Sequence, residues 1–203
     1  MTSRTSTRRS PRRADAERNI AAIVSAGLRL LSADPNVSVA DIAQAAGVGR
    51  VTLYGHFPSR EALVEAVLGH AIELADAILD DERLAGLPAP EAMTRLIESS
   101  WEILDRHRRL FTAADRVLPG ERIRAHHDRT LQRVEELIVR GRDSGDFRTD
   151  LPVSWLVTTF YSILHSAAQE IEAGRLRRQD AAPVLTATLL SVLTGAGPDA
   201  RTP

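Results

Sequence analysis

Apolar residues recur at three- and four-residue spacing through most of this chain, and no segment alternates with period two, so the pattern predicts helices and no strands. Ile20, Ile23, Val24, Gly27, Leu28 and Leu31 form one face of a first helix over about 15–32, with Asp15 and Glu17 in a first turn that favours acids. Asp34-Pro35-Asn36 stops it. Ser38-Val39-Ala40-Asp41 opens a second helix: Ser38 is an N-cap with an acid three residues on, and Val39, Ile42, Ala43 and Ala46 are its buried face. Gly47 turns the chain into a short third helix over about 50–57. Ser59 caps a long fourth helix to about Asp80, which buries Leu63, Ala66, Val67, Ala71, Leu74 and Ile78. A connector over 81–90 carries Gly86, Pro88 and Pro90. Five more helices are expected at about 91–107, 108–117, 121–144, 153–173 and 179–195, punctuated by Pro119-Gly120, Ser144-Gly145 and Gly174. The fold class is all-α with about nine helices.

Composition adds little to the class but something about a partner. With no Cys, disulfides and thiolate chemistry are excluded. The net charge of −1 hides an asymmetry, because residues 1–60 hold nine Arg against four acids and the remainder is acidic. A basic front suits a first third that meets a polyanion. The N-terminus is basic without the apolar stretch of a signal peptide, so no secretion is expected. The uncharged stretch Leu151–Gln169 has the length of a membrane span but carries Pro152, Ser154, Thr158, Thr159, Ser162, His165 and Ser166, so a buried helix and no membrane partner are expected.

The segment Ser38–Phe57 reads SVADIAQAAGVGRVTLYGHF. Two short helices joined at Ala46-Gly47-Val48 are the helix-turn-helix pattern, in which the second helix projects from its supports and can enter a major groove. Ala43 and Ala46 allow the steep crossing, and Val48, Leu53 and Phe57 hold the motif to its supports. The ordered words Asp41-Ile42-Ala43, Ala46-Gly47-Val48, Thr52-Leu53-Tyr54, His56-Phe57 and Ser59-Arg60-Glu61-Ala62-Leu63 make Ile20–Leu63 resemble the N-terminal domain of the TetR family of bacterial transcription regulators. Ser144-Gly145-Asp146-Phe147-Arg148 resembles, more weakly, a turn common between that family's seventh and eighth helices.

The resemblance implies a three-helix DNA-binding domain joined by a long fourth helix to a larger helical dimerisation and ligand domain. Its bounds here are a disordered basic arm over 1–14, the DNA-binding domain over 15–76 with its motif at 38–57, and the helical domain over 77–203. It implies a homodimeric, sequence-specific regulator in the bacterial cytoplasm, at the nucleoid when bound to a pseudo-palindromic operator in double-stranded DNA. A small-molecule effector releases such a repressor from its site. Arg50, Val51 and Tyr54 match positions that face base edges, and Val39 and Ala40 match positions near bases or backbone. Thr52, Tyr54 and His56 match phosphate-contacting positions, and Arg60 stands where a basic residue at the fourth helix's start grips phosphate. Chemistry agrees: Arg pairs bidentately with guanine, an apolar side chain such as Val51 suits a thymine methyl, and hydroxyls suit phosphate oxygens. Packing, local capping or a solvated place are the other readings for Tyr54, His56 and Arg60, and a solvated tail is the other reading of the basic arm.

Two residues depart from the family pattern. Gly49 stands where a capping residue is common, a loss of a few tenths of a kcal/mol. Gly55 stands where a large residue is common and weakens a short helix by about 1 kcal/mol relative to Ala. A helical small-molecule-binding or scaffolding protein with a weakened reader is therefore the alternative.

In the larger half, the last two helices are more apolar than one buried stripe requires (Ala187–Thr194 reads ATLLSVLT), which predicts burial against a second copy as well as the body, with a deep core helix in a monomer as the other reading. Trp101, Leu104, Phe111, His127, Trp155, Thr159, Phe160 and His165 are candidates to line an effector cavity, with core packing as the other role. Adjacent His126 and His127 point about 100° apart on a helix and make a poor metal pair, so no metal is expected. No Gly-rich phosphate loop or nucleophile elbow occurs, so neither an enzyme nor a cofactor is expected.

Overall fold

The computed structural model describes residues 11–78 and 84–195, as nine α-helices with no strand among them. They are α1 (Pro11–Ala33), α2 (Val39–Ala45), α3 (Arg50–His56), α4 (Arg60–Ile78), α5 (Ala89–Asp115), α6 (Gly120–Ala125), α7 (Asp128–Asp143), α8 (Val153–Glu172) and α9 (Ala181–Thr194), with a 3₁₀ turn at Arg178–Asp180. The chain forms two compact units: 1–71 with 109–120, and 72–108 with 121–203.

The first unit is built on local signals. α1 begins at Pro11, four residues earlier than the acids suggested, because Pro is preorganised for a first helical position and has no N–H to leave unsatisfied. Asp15 then pairs with Arg18, and Glu17 with Arg13, instead of serving the first turn. Of the expected arm, residues 1–10 lie outside the described residues. Asp34 stops α1 through an Asx turn, its Oδ1 accepting from the Asn36 N–H at 2.9 Å. Ile23, Leu31, Ile42, Leu53, Leu63, Val67 and Leu68 form the core, joined by Leu110, Ala113, Ala114 and Leu118 from the segment 109–120. Gly27 is required where α1 meets α4, because a Cβ there would lie 2.6 Å from Val67 Cγ2.

The second unit centres on Met93, Leu96, Ile97 and Trp101 of α5, Val134 and Ile138 of α7, Leu156, Phe160 and Leu164 of α8, and Leu185, Leu189 and Leu193 of α9. Three helix expectations change. The separate helices at 91–107 and 108–117 are one helix, kinked at His107 (φ −110°, ψ 15°). The single helix over 121–144 is two, broken where His127 leaves helical geometry (φ −96°, ψ 4°) to become the N-cap of α7. Leu74, expected buried, is 47% exposed, because the inward position on that turn belongs to Asp76. Its carboxylate accepts from Arg133 Nη1 at 2.9 Å and Thr130 Oγ1 at 2.6 Å, which offsets the cost of burying the charge.

The weak family turn at Ser144–Arg148 has a physical basis. Gly145 takes φ +79°, and the Asp146 and Phe147 N–H groups both donate to Gly141 O. Phe147 lies directly over Gly141, where a Cβ would come within 2.1 Å of the ring.

Candidate nucleic-acid interface

The helix-turn-helix is assembled by backbone accounting. Ser38 Oγ accepts from the Asp41 N–H at 3.1 Å, and Asp41 Oδ2 accepts from the Ser38 N–H at 3.3 Å, a full capping box. At the other end of α2 the Gly47 N–H donates to Gln44 O and the Val48 N–H to Ala43 O, a Schellman closure. It needs the left-handed φ of +69° that Gly47 supplies. α3 starts at Gly49 with extended geometry and no side-chain cap, as its residue type implies. Ser59 Oγ accepts from the Ala62 N–H at 3.2 Å and caps α4.

This frame sorts the side chains of α3. Leu53 is fully buried and Phe57 nearly so, while Arg50, Thr52 and Tyr54 are exposed and Val51 is 89% exposed. A large apolar side chain so open to water on a seven-residue helix has nothing to pack on within its own unit. A Cβ at Gly55, one turn after Val51, would meet nothing within 4 Å. Val39 and Ala40 sit half-buried at the start of α2, and His56 half-buried at the end of α3. Arg60 behaves differently: its guanidinium donates to Val37 O at 2.6 Å and Pro35 O at 3.0 Å, bracing the α1–α2 loop. The residue type was legible in the sequence, but the carbonyls it serves were not.

The eight cavity candidates divide between the two units. Phe111 falls in the first unit, and the other seven in the second. Trp101, Leu104 and Phe160 are buried core, whereas Trp155 is 59% exposed. Thr159 turns its hydroxyl back onto Trp155 O at 2.9 Å. A cavity of about 320 Å³ in the second unit is lined by Leu84, Ala85, Arg133, Glu136, Leu137 and Arg140, none of them a candidate.

His127 and His165 do meet, around Tyr161. The Tyr161 and His165 rings lie 4.0 Å apart, His127 stands edge-on to them at 5.4 and 5.0 Å, and the Arg124 guanidinium lies 4.8 Å over Tyr161. Each histidine Nδ1 is 2.9 Å from the carbonyl four residues back, Ile123 O or Tyr161 O, which assigns the Nδ1–H tautomer to both. Burial first, and then His127, pushes His165 down to about 4. Burial likewise lowers His127, against the raising effect of its bond to Ile123 O. Both rings are therefore neutral at pH 7. Among the described residues no group of three or more His, Cys, Asp or Glu is placed to hold a metal ion. No described helix is long and apolar enough to cross a membrane.

Residues 23–67 match the model of the bacterial regulatory proteins of the tetR family. That segment is similar to the DNA-binding domain of the tetR family. The match runs from the middle of α1 to the first half of α4, and so includes the capping box, the Gly47 turn and the exposed face of α3. The HTH-type transcriptional repressor LfrR of Mycolicibacterium smegmatis is 24% identical over 178 residues, 88% of this chain and 92% of LfrR. The crystal structure of LfrR in complex with proflavine superposes with a TM-score of 0.62, covering 89% of this chain and 98% of that one. The regulator FadR of Bacillus subtilis, in complex with stearoyl-CoA, superposes with a TM-score of 0.68 at 15% identity, covering 85% and 98%. These likenesses show that the fold shared with such regulators extends through the second unit.

Proposed function

We propose that this chain is a TetR-family regulator, working as a homodimeric repressor that reads a pseudo-palindromic operator and leaves it when a small effector binds. The observation that carries the reading is the outward face of α3, where Val51 is 89% exposed between Arg50 and Thr52 while Leu53 is fully buried. Arg50, Val51 and Tyr54 take base edges, Val39 and Ala40 approach bases or backbone, and Thr52, Tyr54 and His56 take phosphates. Arg60 supports them through the loop it braces.

The dimer surface is the outer face of α8 and α9. Their buried stripes leave Ser154, Trp155, Ser162, Ser166, Val184, Ala187, Thr188 and Ser191 exposed or largely so, without a charge among them. An uncharged two-helix face that carries an open Trp has the composition of an interface. LfrR binds proflavine and FadR binds stearoyl-CoA. By analogy the effector is a small molecule with a large apolar part, held in the helical unit. It moves the equilibrium only by its differential affinity for the two dimer forms. A regulator of this kind works in the cytoplasm, where the DNA is.

A mobility-shift assay of the full chain against its own upstream DNA tests the reading. The expected result is a retarded band that Arg50→Ala and Tyr54→Ala abolish without lowering the melting temperature. No retardation at any protein concentration overturns it and leaves the reading of a helical binding protein with a weakened reader. Sedimentation of Trp155→Arg, expected to yield monomers from dimers, tests the interface separately.

A further inference from the structure

The five-residue loop 34–38 that delivers the chain from α1 to α2 is gripped by three arginines, all inside the first unit. Arg60 holds Pro35 O and Val37 O. Arg116 Nη1 donates to Asn36 Oδ1 at 2.6 Å, and Arg109 Nη1 donates to Ala33 O, at the last residue of α1. The last two reach back 80 and 76 residues along the chain. They belong to the segment 109–120, which joins the DNA-reading unit just after the kink of α5 at His107.

The loop matters because it sets where α2 starts. Val37 precedes Ser38, the N-cap whose box fixes the first turn of α2, and α2 leads through the Gly47 closure into α3. Asn36 has its N–H on Asp34 Oδ1 and its side-chain oxygen on Arg116, so both its backbone and its side chain are held. A charge-assisted bond is among the stronger hydrogen bonds available to a loop.

We propose that Arg116, with Arg109, is a positioning residue for DNA binding: it acts through Asn36 and the α1–α2 loop to hold α2 and α3 at the angle at which they dock. The inference rests on α3 being the DNA reader. Both arginines are exposed, so direct contact with phosphate is the rival role.

The experiment uses the full chain and duplexes that the wild type captures from a random pool. Affinity is measured over a salt series for wild type, Arg116→Ala, Asn36→Ala, the double variant and Arg116→Lys, with each melting curve recorded. Arg116→Ala and Asn36→Ala should each weaken binding by about threefold or more, and the double variant should be no weaker than either, since both remove one bond. The salt slope should stay unchanged, melting should shift by no more than about 2 °C, and Arg116→Lys, which keeps a donor, should recover most of the affinity. A salt slope reduced by about 0.9 in Arg116→Ala, with Asn36→Ala at wild-type affinity, would assign Arg116 to phosphate and overturn the proposal. So would additive losses, or losses accounted for by the unfolded fraction. A wild type that captures no duplex overturns the DNA-reading role itself and the clasp with it. A wild type that binds while every variant matches it overturns the clasp alone.

Discussion

In the first unit most polar contacts that shape the fold are short-range or end on backbone: Ser38 with Asp41, Asp34 with Asn36, Ser59 with Ala62, and Arg60 on the α1–α2 loop, with Arg116 on the Asn36 side chain as the exception. In the second unit the deciding polar contacts join side chains far apart in sequence and well out of water. Asp76 meets Arg133 and Thr130, and His127 meets His165 and Tyr161. Caps and turns can be written into a few consecutive residues, and each contributes about 1 kcal/mol. Buried charges and rings depend on partners that only folding assembles, and losing one partner costs several times more. The reading unit should therefore tolerate small changes outside its tight spots, whereas the helical unit should fail sharply at a few positions.

The largest effect tests the buried pair. Asp76→Ala takes from Arg133 the buried carboxylate 2.9 Å from its Nη1, and should cost about 3–5 kcal/mol of unfolding free energy in denaturant. Arg133→Met added to it should recover much of that loss. A single-variant cost below about 1 kcal/mol would erase the contrast between the units.

Acid is the next test. A histidine held at about 4 in the folded chain, against about 6.5 when unfolded, takes up its proton on unfolding. Its contribution is whole above pH 6.5 and is lost as pH falls toward 4, by about 3 kcal/mol. His127, lowered in the same sense, adds to the loss. The surroundings give a proton no relief: Arg124 and His126 oppose it, and Asp76, which favours it at His127, already accepts from Arg133 and Thr130. Melting followed from pH 7 to 4 should fall more steeply for the wild type than for His165→Phe. Parallel curves would remove the cluster from the account.

Close approaches come third. Gly141→Ala drives a methyl into the Phe147 ring, and Gly27→Ala drives one into Val67; each should cost about 1–3 kcal/mol. Equal costs would show that the first unit too has positions no local rule protects. The smallest effect has the opposite sign. Gly55→Ala, in open space, should stabilise by up to about 1 kcal/mol, and Gly49→Ser, at the extended N-cap of α3, by a few tenths. A lower melting temperature in either would mean that the reading helix needs its glycines for its path.

What consecutive residues could settle by themselves was the set of helices, the capping box at Ser38, the turn at Gly47 and the division of α3 into anchors and an outward face. Each depends on period, a cap or a left-handed glycine within a few positions. They could not show that Arg109 and Arg116 serve the reading unit, that Asp76 displaces Leu74 from the inside of α4, that Arg60 is spent on two carbonyls, or that Trp155 stands open to water. Those outcomes depend on which distant groups arrive at the same place. A charged residue's part is set by the partner it finds once water is excluded, and only the folded chain supplies that partner.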